Sequence, residues 1–128
     1  YSDRNRGAEV GRYKSVIDEM PFSYVLPQEN GNRTETRWLT LTGGDVPPVT
    51  IRGETPFGFS IWPWSAENLA KAGHAYDLVR QGFYTLNLDH RQMGVGGTDS
   101  WSPKALPIEK YRVPAGQYDW AFTLSPVR

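Results

Sequence analysis

The residues between Met93 and Pro103 are the best suited in the sequence to bind a small ligand. Three glycines within four positions let the backbone adopt positive φ angles and approach other groups closely: Gly94, Gly96 and Gly97. The short polar side chains of Asp99 and Ser100 then favour a fixed turn. Trp101 follows, with a flat apolar face and one N–H donor. The pattern predicts a loop that presents an indole, or else a long hairpin connection whose tryptophan packs at the edge of a core.

An indole at the end of a polar loop has the chemistry of a sugar-binding platform. The apolar C–H face of a pyranose carries partial positive charge and can lie on the negative π face of tryptophan. Polar groups at the rim, here Asp99 and Ser100, would then bind the hydroxyl groups of the sugar. Packing in the core remains the alternative role for Trp101.

The sequence contains no convincing catalytic apparatus. Hydrolysis of a glycoside with retained configuration needs two carboxyl groups roughly 5 Å apart. No acidic residues have a spacing or an apolar setting that marks such a pair, although Asp89 and Asp99 flank the loop and could converge. His90, beside Asp89, is a candidate base or ligand, but no second histidine lies at metal-ligand spacing, so no metal site is predicted. The serines include no nucleophile elbow, and the glycine run does not match a phosphate-binding motif.

Composition narrows the classes of partner. The 128 residues carry 14 basic and 14 acidic side chains, and this balance argues against electrostatic binding to nucleic acid or to an anionic membrane. The absence of cysteine excludes disulfides and cysteine-based metal sites, and no apolar run is long enough to span a bilayer. Residues 1–128 are expected to form one domain or part of one. The polar stretch Tyr1–Gly11 has the composition of a loop of which only the latter part is present, so we expect the chain to be a fragment of a longer protein.

The elements that must position the loop are predicted to be mainly β-strands, because the chain is rich in aromatic residues, glycine and proline. Strands are predicted at residues 21–26, 33–42, 49–52, 57–62, 83–89, 108–113 and 117–124. The last has the clearest period-two alternation and is expected to face the core. Ser65 is the expected N-cap of one short helix, Ala66–Lys71, which ends before Gly73 and docks Leu69 on the sheet. The predicted fold class is an all-β antiparallel β-sandwich with one short helix near residues 65–72.

Several motifs resemble those of the family-2 glycoside hydrolases, in particular the large bacterial β-galactosidases that hydrolyse lactose. Gly94–Pro103 resembles the signature Gly-x-Gly-Gly-x-Asp-Ser-Trp near the carboxyl end of that family. Tyr24–Gly31 is similar to its Tyr-Val-x-Pro-x-Glu-Asn-Gly, and Tyr1–Arg4 to its Tyr-x-Asp-Arg. Pro114–Tyr118 falls where the family has a final hairpin with Ala-Gly-x-Tyr. The resemblance covers essentially the whole chain.

This resemblance implies that the chain is the latter half of the family's last domain, a supersandwich like that of galactose mutarotases. The catalytic glutamates of the family lie in an earlier barrel domain, so this segment is expected to hold no catalytic residue and to be inactive alone. The family's last domain supplies one tryptophan that stacks on the substrate, and by motif position it is Trp101. The loop would be shaped by Gly94, Gly96, Gly97, Asp99 and Ser100. Thr98 stands where some relatives carry an acidic residue, which leaves a charge-based role there unsupported.

The resemblance also sets expectations for cofactors and partners. No cofactor is expected in this segment, since the Mg²⁺ and Na⁺ common in the family are bound mainly elsewhere. Expected partners are a β-galactoside, the barrel domain of the parent chain and further copies in a homo-oligomer, with no nucleic acid and no membrane. The compartment, bacterial cytoplasm or periplasm, stays open.

Two other classes of protein remain as alternatives, a free-standing carbohydrate-binding module and a purely structural or oligomerising domain. As half of a supersandwich, the segment should expose sheet edges and an apolar face, and should therefore self-associate.

Overall fold

A computed structural model of the chain describes residues 10–21, 25, 31–93, 101–107 and 109–127. Within these residues the regular structure consists of short strands, one α-helix and single turns of 3₁₀ helix. The strands are β1 Arg33–Thr36, β2 Leu39–Leu41, β3 Val49–Gly53, β4 Phe57–Trp62, β5 Thr85–Asp89 and β6 Phe122–Pro126. The α-helix is α1 Ala66–Lys71, and the 3₁₀ turns are Ile17–Glu19, Ala75–Asp77, Pro103–Ala105 and Glu109–Tyr111.

The strands form two three-stranded sheets, ordered β1-β4-β5 and β2-β3-β6. In the second sheet β3 is central and pairs antiparallel with both neighbours, with Ile51 opposite Leu39 on one side and Leu124 on the other. A hydrogen bond of 2.8 Å joins the hydroxyl groups of Thr40 and Thr50 across β2 and β3. The predicted fold class, all-β and antiparallel with one short helix, is confirmed.

The described residues divide into two compact units. The first unit takes the residues up to Thr34 together with Gly58–Leu88, and the second takes Glu35–Phe57 together with the residues from Asp89 onward. The first unit therefore holds most of β4 and the helix, and the second holds the sheet of β2, β3 and β6. The residues on both sides of the glycine-rich stretch belong to the second unit.

The core of the first unit forms where the helix packs against the end of β4. Every residue of β4 is buried, because the strand lies between two neighbours in its sheet. Trp62 of β4 contacts Leu69 of the helix in an apolar cluster completed by Val25, Ala72, Trp64 and Leu78. Burying a side chain such as Leu69 stabilises the fold by about 1.5–3 kcal/mol. The prediction that Leu69 docks on the sheet is confirmed.

Capping explains why so short a helix begins at Ala66. The hydroxyl oxygen of Ser65 accepts a hydrogen bond from the backbone N–H of Asn68 at 3.1 Å, as the sequence predicts. The side chain of Asn68 accepts from the backbone N–H of Val79 at 2.7 Å and donates to the carbonyl of Asp77 at 3.2 Å. These hydrogen bonds fix the helix to the segment that follows it. The helix needs them, because a helix of fewer than two turns is not stable alone.

One predicted strand, residues 33–42, is two strands in different sheets. β1 pairs with β4, whereas β2 pairs with β3, and the chain leaves the strand geometry at Arg37 and Trp38. Glu35 has a φ of +57°, a left-handed conformation that does not continue a flat strand. The prediction of one continuous strand was wrong, because alternation of side chains does not record a change in backbone direction.

The carboxyl-terminal predictions were also wrong in part. Glu109–Tyr111 is a turn of 3₁₀ helix rather than a strand. The last strand begins at Phe122 instead of Gln117, and the hydroxyl of Tyr118 donates to the carbonyl of Pro114 at 2.6 Å, closing the turn before it. All residues of β6 are exposed, so this strand does not face a core among the described residues. It lies at the edge of its sheet and is paired there with β3.

The remaining predictions differ in how far the structure tests them. The strands at 49–52 and 57–62 are confirmed, and the strand at 83–89 begins two residues later than predicted, at Thr85. The predicted strand at 21–26 lies mostly outside the described residues. In the described part of the chain no helix is long and apolar enough to cross a membrane.

Candidate functional site

The candidate site is the segment that leaves β5 and ends at Trp101. The proposed shaping residues, namely Gly94, Gly96, Gly97, Asp99 and Ser100, lie outside the described residues. Trp101 itself is described, and 87% of its surface is exposed. By contrast Trp62, in the core of the first unit, is 7% exposed. Trp101 is therefore not part of a core among the described residues of this chain.

The chain directly after Trp101 is held by a capped turn. The hydroxyl oxygen of Ser102 accepts a hydrogen bond from the backbone N–H of Lys104 at 3.2 Å, and the carbonyl of Ser102 accepts from Ala105 at 2.9 Å. Pro103 supplies the first position of this 3₁₀ turn, where its missing N–H costs nothing. The backbone that carries the exposed indole is therefore fixed on its carboxyl side.

The chain before the glycine-rich stretch is held by aromatic contacts with the residues that precede β6. The imidazole of His90 stacks on the indole of Trp120, with ring centroids 5.6 Å apart and planes 3° from parallel. The ring of Tyr118 meets His90 edge-on at 6.3 Å, and the guanidinium of Arg91 lies over the Tyr118 ring at 5.4 Å. Such ring pairs contribute about 0.5–1.5 kcal/mol each beyond the area they bury.

Trp120 is in turn anchored within the second unit. Its ring centroid lies 6.1 Å from that of Phe57 and 5.4 Å from that of Phe122. Gly53 makes room for it, since a Cβ atom there would lie 3.2 Å from Cζ2 of Trp120. The backbone N–H of Glu54 also donates to the carbonyl of Ala121 at 2.9 Å, which fixes the residue next to Trp120.

This aromatic group, called here the His90 clamp, consists of His90, Arg91, Tyr118 and Trp120. Sequence reasoning treated His90 as a candidate base or metal ligand and did not pair it with Trp120. The two residues stand thirty positions apart, and only the return of the chain along β6 brings them together. The one available signal was the run of aromatic residues before β6, which was interpreted as a core face.

Three acidic residues in the described part of the chain, Asp18, Glu67 and Asp77, serve as ion-pair partners or caps. Oδ1 of Asp18 accepts from Nη1 of Arg80 at 2.7 Å, and this hydrogen bond and charge lower the pKa of Asp18. Asp77 caps the turn at Ala75 by accepting from the backbone N–H groups of Gly73 and His74. An acid with a lowered pKa is ionised at neutral pH and is a poor proton donor. Asp99, proposed to converge with Asp89, lies outside the described residues.

Metal binding finds no support in the donor atoms that the structure describes. Within residues 10–21, 25, 31–93, 101–107 and 109–127, no three His, Asp or Glu side chains lie close enough to hold an ion. His90 faces Trp120 through its ring, which is a packing arrangement.

Comparison with known proteins places the chain in a family. Residues 1–124 match the family described as "Beta galactosidase small chain". The chain is 41% identical to a β-galactosidase of Vibrio cholerae over 92% of its length, 35% to one of Priestia megaterium over 99%, and 38% to one of Lactococcus lactis over 94%. It covers 11–12% of the length of these relatives. The exposed Trp101 thus follows the Gly-Gly-x-Asp-Ser sequence in a chain that belongs to the β-galactosidase small chain family.

Proposed function

We propose that this chain is a carboxyl-terminal segment of a β-galactosidase that hydrolyses terminal β-D-galactosides. In this proposal the segment lines the active site and Trp101 stacks on the galactosyl ring. The family match supports the activity, and the small share of the relatives that the chain covers supports its being one part of the enzyme. The motif Gly94–Trp101 supports the carboxyl-terminal position.

The observation that carries the proposal is the exposure of Trp101. A stacking residue must offer ring surface to the ligand, and 87% of the surface of Trp101 is exposed. Covering that face with the C–H side of a sugar removes apolar surface from water and adds the attraction between the C–H groups and the π electrons. The capped turn at Ser102 holds the backbone next to the indole, so less order has to be gained on binding.

The proposal assigns binding to this segment and the bond cleavage to another part of the enzyme. Among its described acids, Asp18 is engaged in an ion pair and Asp77 in a cap. As the resemblance implies, the two catalytic carboxyl groups of the proposed enzyme lie in the barrel domain, and we expect the 128 residues alone to be inactive. The Mg²⁺ and Na⁺ implied by the resemblance are expected to be bound mainly elsewhere in the enzyme, and no three His, Asp or Glu side chains of the described residues lie close enough to hold an ion.

The test is Trp101→Ala in the full-length enzyme. Loss of the stacking face should destabilise the bound transition state by about 1–2 kcal/mol, which lowers kcat/KM for an aryl β-D-galactoside roughly five- to thirtyfold. Inhibition by galactose should weaken by a similar factor. Trp101→Phe keeps an aromatic face and should recover most of the loss. Trp38→Ala, which truncates another exposed tryptophan, is the matched control and should leave the kinetics unchanged.

Unchanged kinetics in a correctly folded Trp101→Ala enzyme would refute the stacking role. Cleavage of a galactoside by the purified 128-residue chain would refute the assignment of bond cleavage to another part of the enzyme.

A further inference from the structure

We propose that Arg112 is a positioning residue for Trp101, because it fixes the carboxyl end of the turn that follows the indole. The inference rests on the proposed function, since Arg112 has a role in binding only if Trp101 stacks on the sugar. Nε of Arg112 donates a hydrogen bond to the carbonyl oxygen of Pro107 at 2.6 Å. Every residue from Trp101 to Pro107 is described, so the connection between the indole and Arg112 is continuous.

Hydrogen bonds between near neighbours give the turn after Trp101 its shape. Oγ of Ser102 accepts from the backbone N–H of Lys104 at 3.2 Å, and the carbonyl of Ser102 accepts from Ala105 at 2.9 Å. These bonds join residues two or three positions apart, so they do not fix where the turn lies in the second unit. A single helical turn is also not stable alone. The turn therefore depends on contacts with residues outside it.

Pro107 supplies such a contact at the carboxyl end of the turn. It is buried, whereas Leu106 directly before it is 54% exposed. Proline has no N–H group, so the carbonyl is the only hydrogen-bonding group of Pro107, and Arg112 binds it. A hydrogen bond from a charged donor is stronger than one between neutral groups. Arg112 therefore holds the buried end of the turn that begins at Ser102.

Arg112 is itself held from both directions along the chain. Its backbone N–H donates to the carbonyl of Glu109 at 3.0 Å, which closes the 3₁₀ turn before it. Two residues after it, the carbonyl of Pro114 accepts from the hydroxyl of Tyr118 at 2.6 Å. Tyr118 belongs to the His90 clamp, which lies in the same unit. The arginine that binds Pro107 thus stands on a fixed stretch of backbone.

A fixed turn limits the orientations that are open to the indole. Ser102 is extended, with φ −120° and ψ 168°, so the backbone leaves the turn toward Trp101 in a defined direction. A side chain that must be ordered on binding costs conformational entropy, and one that is already positioned costs less. Loss of the Arg112 hydrogen bond should therefore weaken binding of the sugar without altering the groups that react.

The experiment measures Arg112→Met in the full-length enzyme, with an aryl β-D-galactoside as substrate and galactose as competitive inhibitor. Methionine keeps an unbranched apolar side chain and removes the donor to Pro107. The variant should raise KM and the inhibition constant of galactose roughly three- to tenfold while kcat changes less than twofold, as expected for lost ground-state binding. Arg52→Met is the matched control, because it removes an exposed arginine from β3 in the same unit. It should leave both constants unchanged.

A double-mutant cycle tests whether Arg112 acts through Trp101. In the Trp101→Ala background, Arg112→Met should raise KM by less than twofold, because no indole remains to be positioned. Ser102→Ala loosens the other end of the turn and should raise KM roughly two- to fivefold, whereas Ser102→Asp keeps an acceptor for the N–H of Lys104 and should restore the wild-type KM. This pair carries the test if Arg112→Met fails to fold by circular dichroism.

The outcomes separate this inference from the proposed function. If Trp101→Ala impairs the enzyme and neither Arg112→Met nor Ser102→Ala raises KM, the positioning role is wrong and the stacking role stands. Equal effects of Arg112→Met with and without Trp101 would overturn the positioning role, and so would a fall in kcat as large as the rise in KM. If Trp101→Ala and Arg112→Met both leave the kinetics unchanged, both proposals fail.

Discussion

β4 and β6 have similar sequences and opposite surroundings. Phe-Gly-Phe-Ser-Ile-Trp in β4 is buried throughout, whereas Phe-Thr-Leu-Ser-Pro in β6 is exposed throughout. Each begins with phenylalanine, yet Phe57 is 1% exposed and Phe122 is 46% exposed. The apolar content of a strand therefore does not decide its burial in this molecule.

Position in the sheet explains the difference. β4 lies between β1 and β5, and the helix that follows it covers Trp62 with Leu69. β6 is an edge strand whose described neighbour is β3, and Leu124 on it is 58% exposed. An exposed apolar edge strand is a template for pairing with another chain. The expectation of an exposed apolar face is met at β6, and self-association stays a prediction for light scattering.

The largest test of this contrast is to truncate the two phenylalanines. Phe57→Ala should lower the free energy of unfolding by about 3–5 kcal/mol, since it leaves a cavity and removes a contact of Trp120. Phe122→Ala makes the same chemical change at an exposed position and should cost less than about 1 kcal/mol. Urea unfolding followed by circular dichroism measures both. Equal losses of unfolding free energy in the two variants would mean that β6 is buried in solution. They would contradict the contrast between β4 and β6.

A second test adds volume to β4 rather than removing it. In Gly58→Ala the new Cβ atom would lie 2.8 Å from Oδ1 of the buried Asn32, so we expect a loss of about 1–3 kcal/mol. Gly82→Ala is the control, because no atom lies within 4 Å of a Cβ at that position. Thermal unfolding of the two variants should separate them clearly. A neutral Gly58→Ala would show that the packing around β4 is looser than described.

The helix that covers β4 offers a third test. Ser65→Ala removes the acceptor for the Asn68 N–H and should lower stability by about 1 kcal/mol, whereas Ser65→Asp keeps an acceptor and should not. Ser15→Ala, at an exposed hydroxyl that caps no helix, should change stability by less than about 0.5 kcal/mol. If Ser65→Ala matches Ser15→Ala in urea unfolding, the cap does not help to hold the helix on β4.

The smallest effect is expected at the surface of the first unit, where Asp18 pairs with Arg80. Because Arg80 lowers the pKa of Asp18, this carboxyl group stays ionised in the folded state at pH values below its ordinary pKa of 3.8. The stability that the ionised carboxylate contributes is present above pH 3.8 and is lost as the pH falls through the pKa of the folded state. Asp18→Asn should therefore reduce Tm at pH 6 slightly and remove part of the decrease of Tm below pH 4. An identical pH dependence in both proteins would show that the exposed pair contributes nothing.

Much of the fold could be predicted because local chemistry decides it. The Ser65 cap and the apolar residues of the helix and β4 need no distant information. The failures arise where the decisive interaction is non-local or backbone-specific. The alternating stretch 33–42 leaves the strand geometry at Arg37 and Trp38, after the left-handed Glu35, and the exposure of β6 depends on which strands lie beside it.

The candidate site divides in the same way. The motif placed Trp101 at the end of a polar segment, and its exposure agrees with that prediction. The contact between His90 and Trp120 could not be predicted, because it joins residues thirty positions apart, one after β5 and the other before β6. The roles of the three glycines, Asp99 and Ser100 stay predictions, since these residues lie outside the described part of the chain.

The exposure of Trp101 also has a spectroscopic consequence. An indole surrounded by water fluoresces at longer wavelength than one packed among apolar side chains, and a dissolved quencher such as acrylamide reaches it first. Trp62 and Trp101 therefore mark opposite extremes within one emission spectrum. If Trp101 has the proposed stacking role, a sugar that covers it would shield it from the quencher, and acrylamide quenching would then report binding without any attached dye.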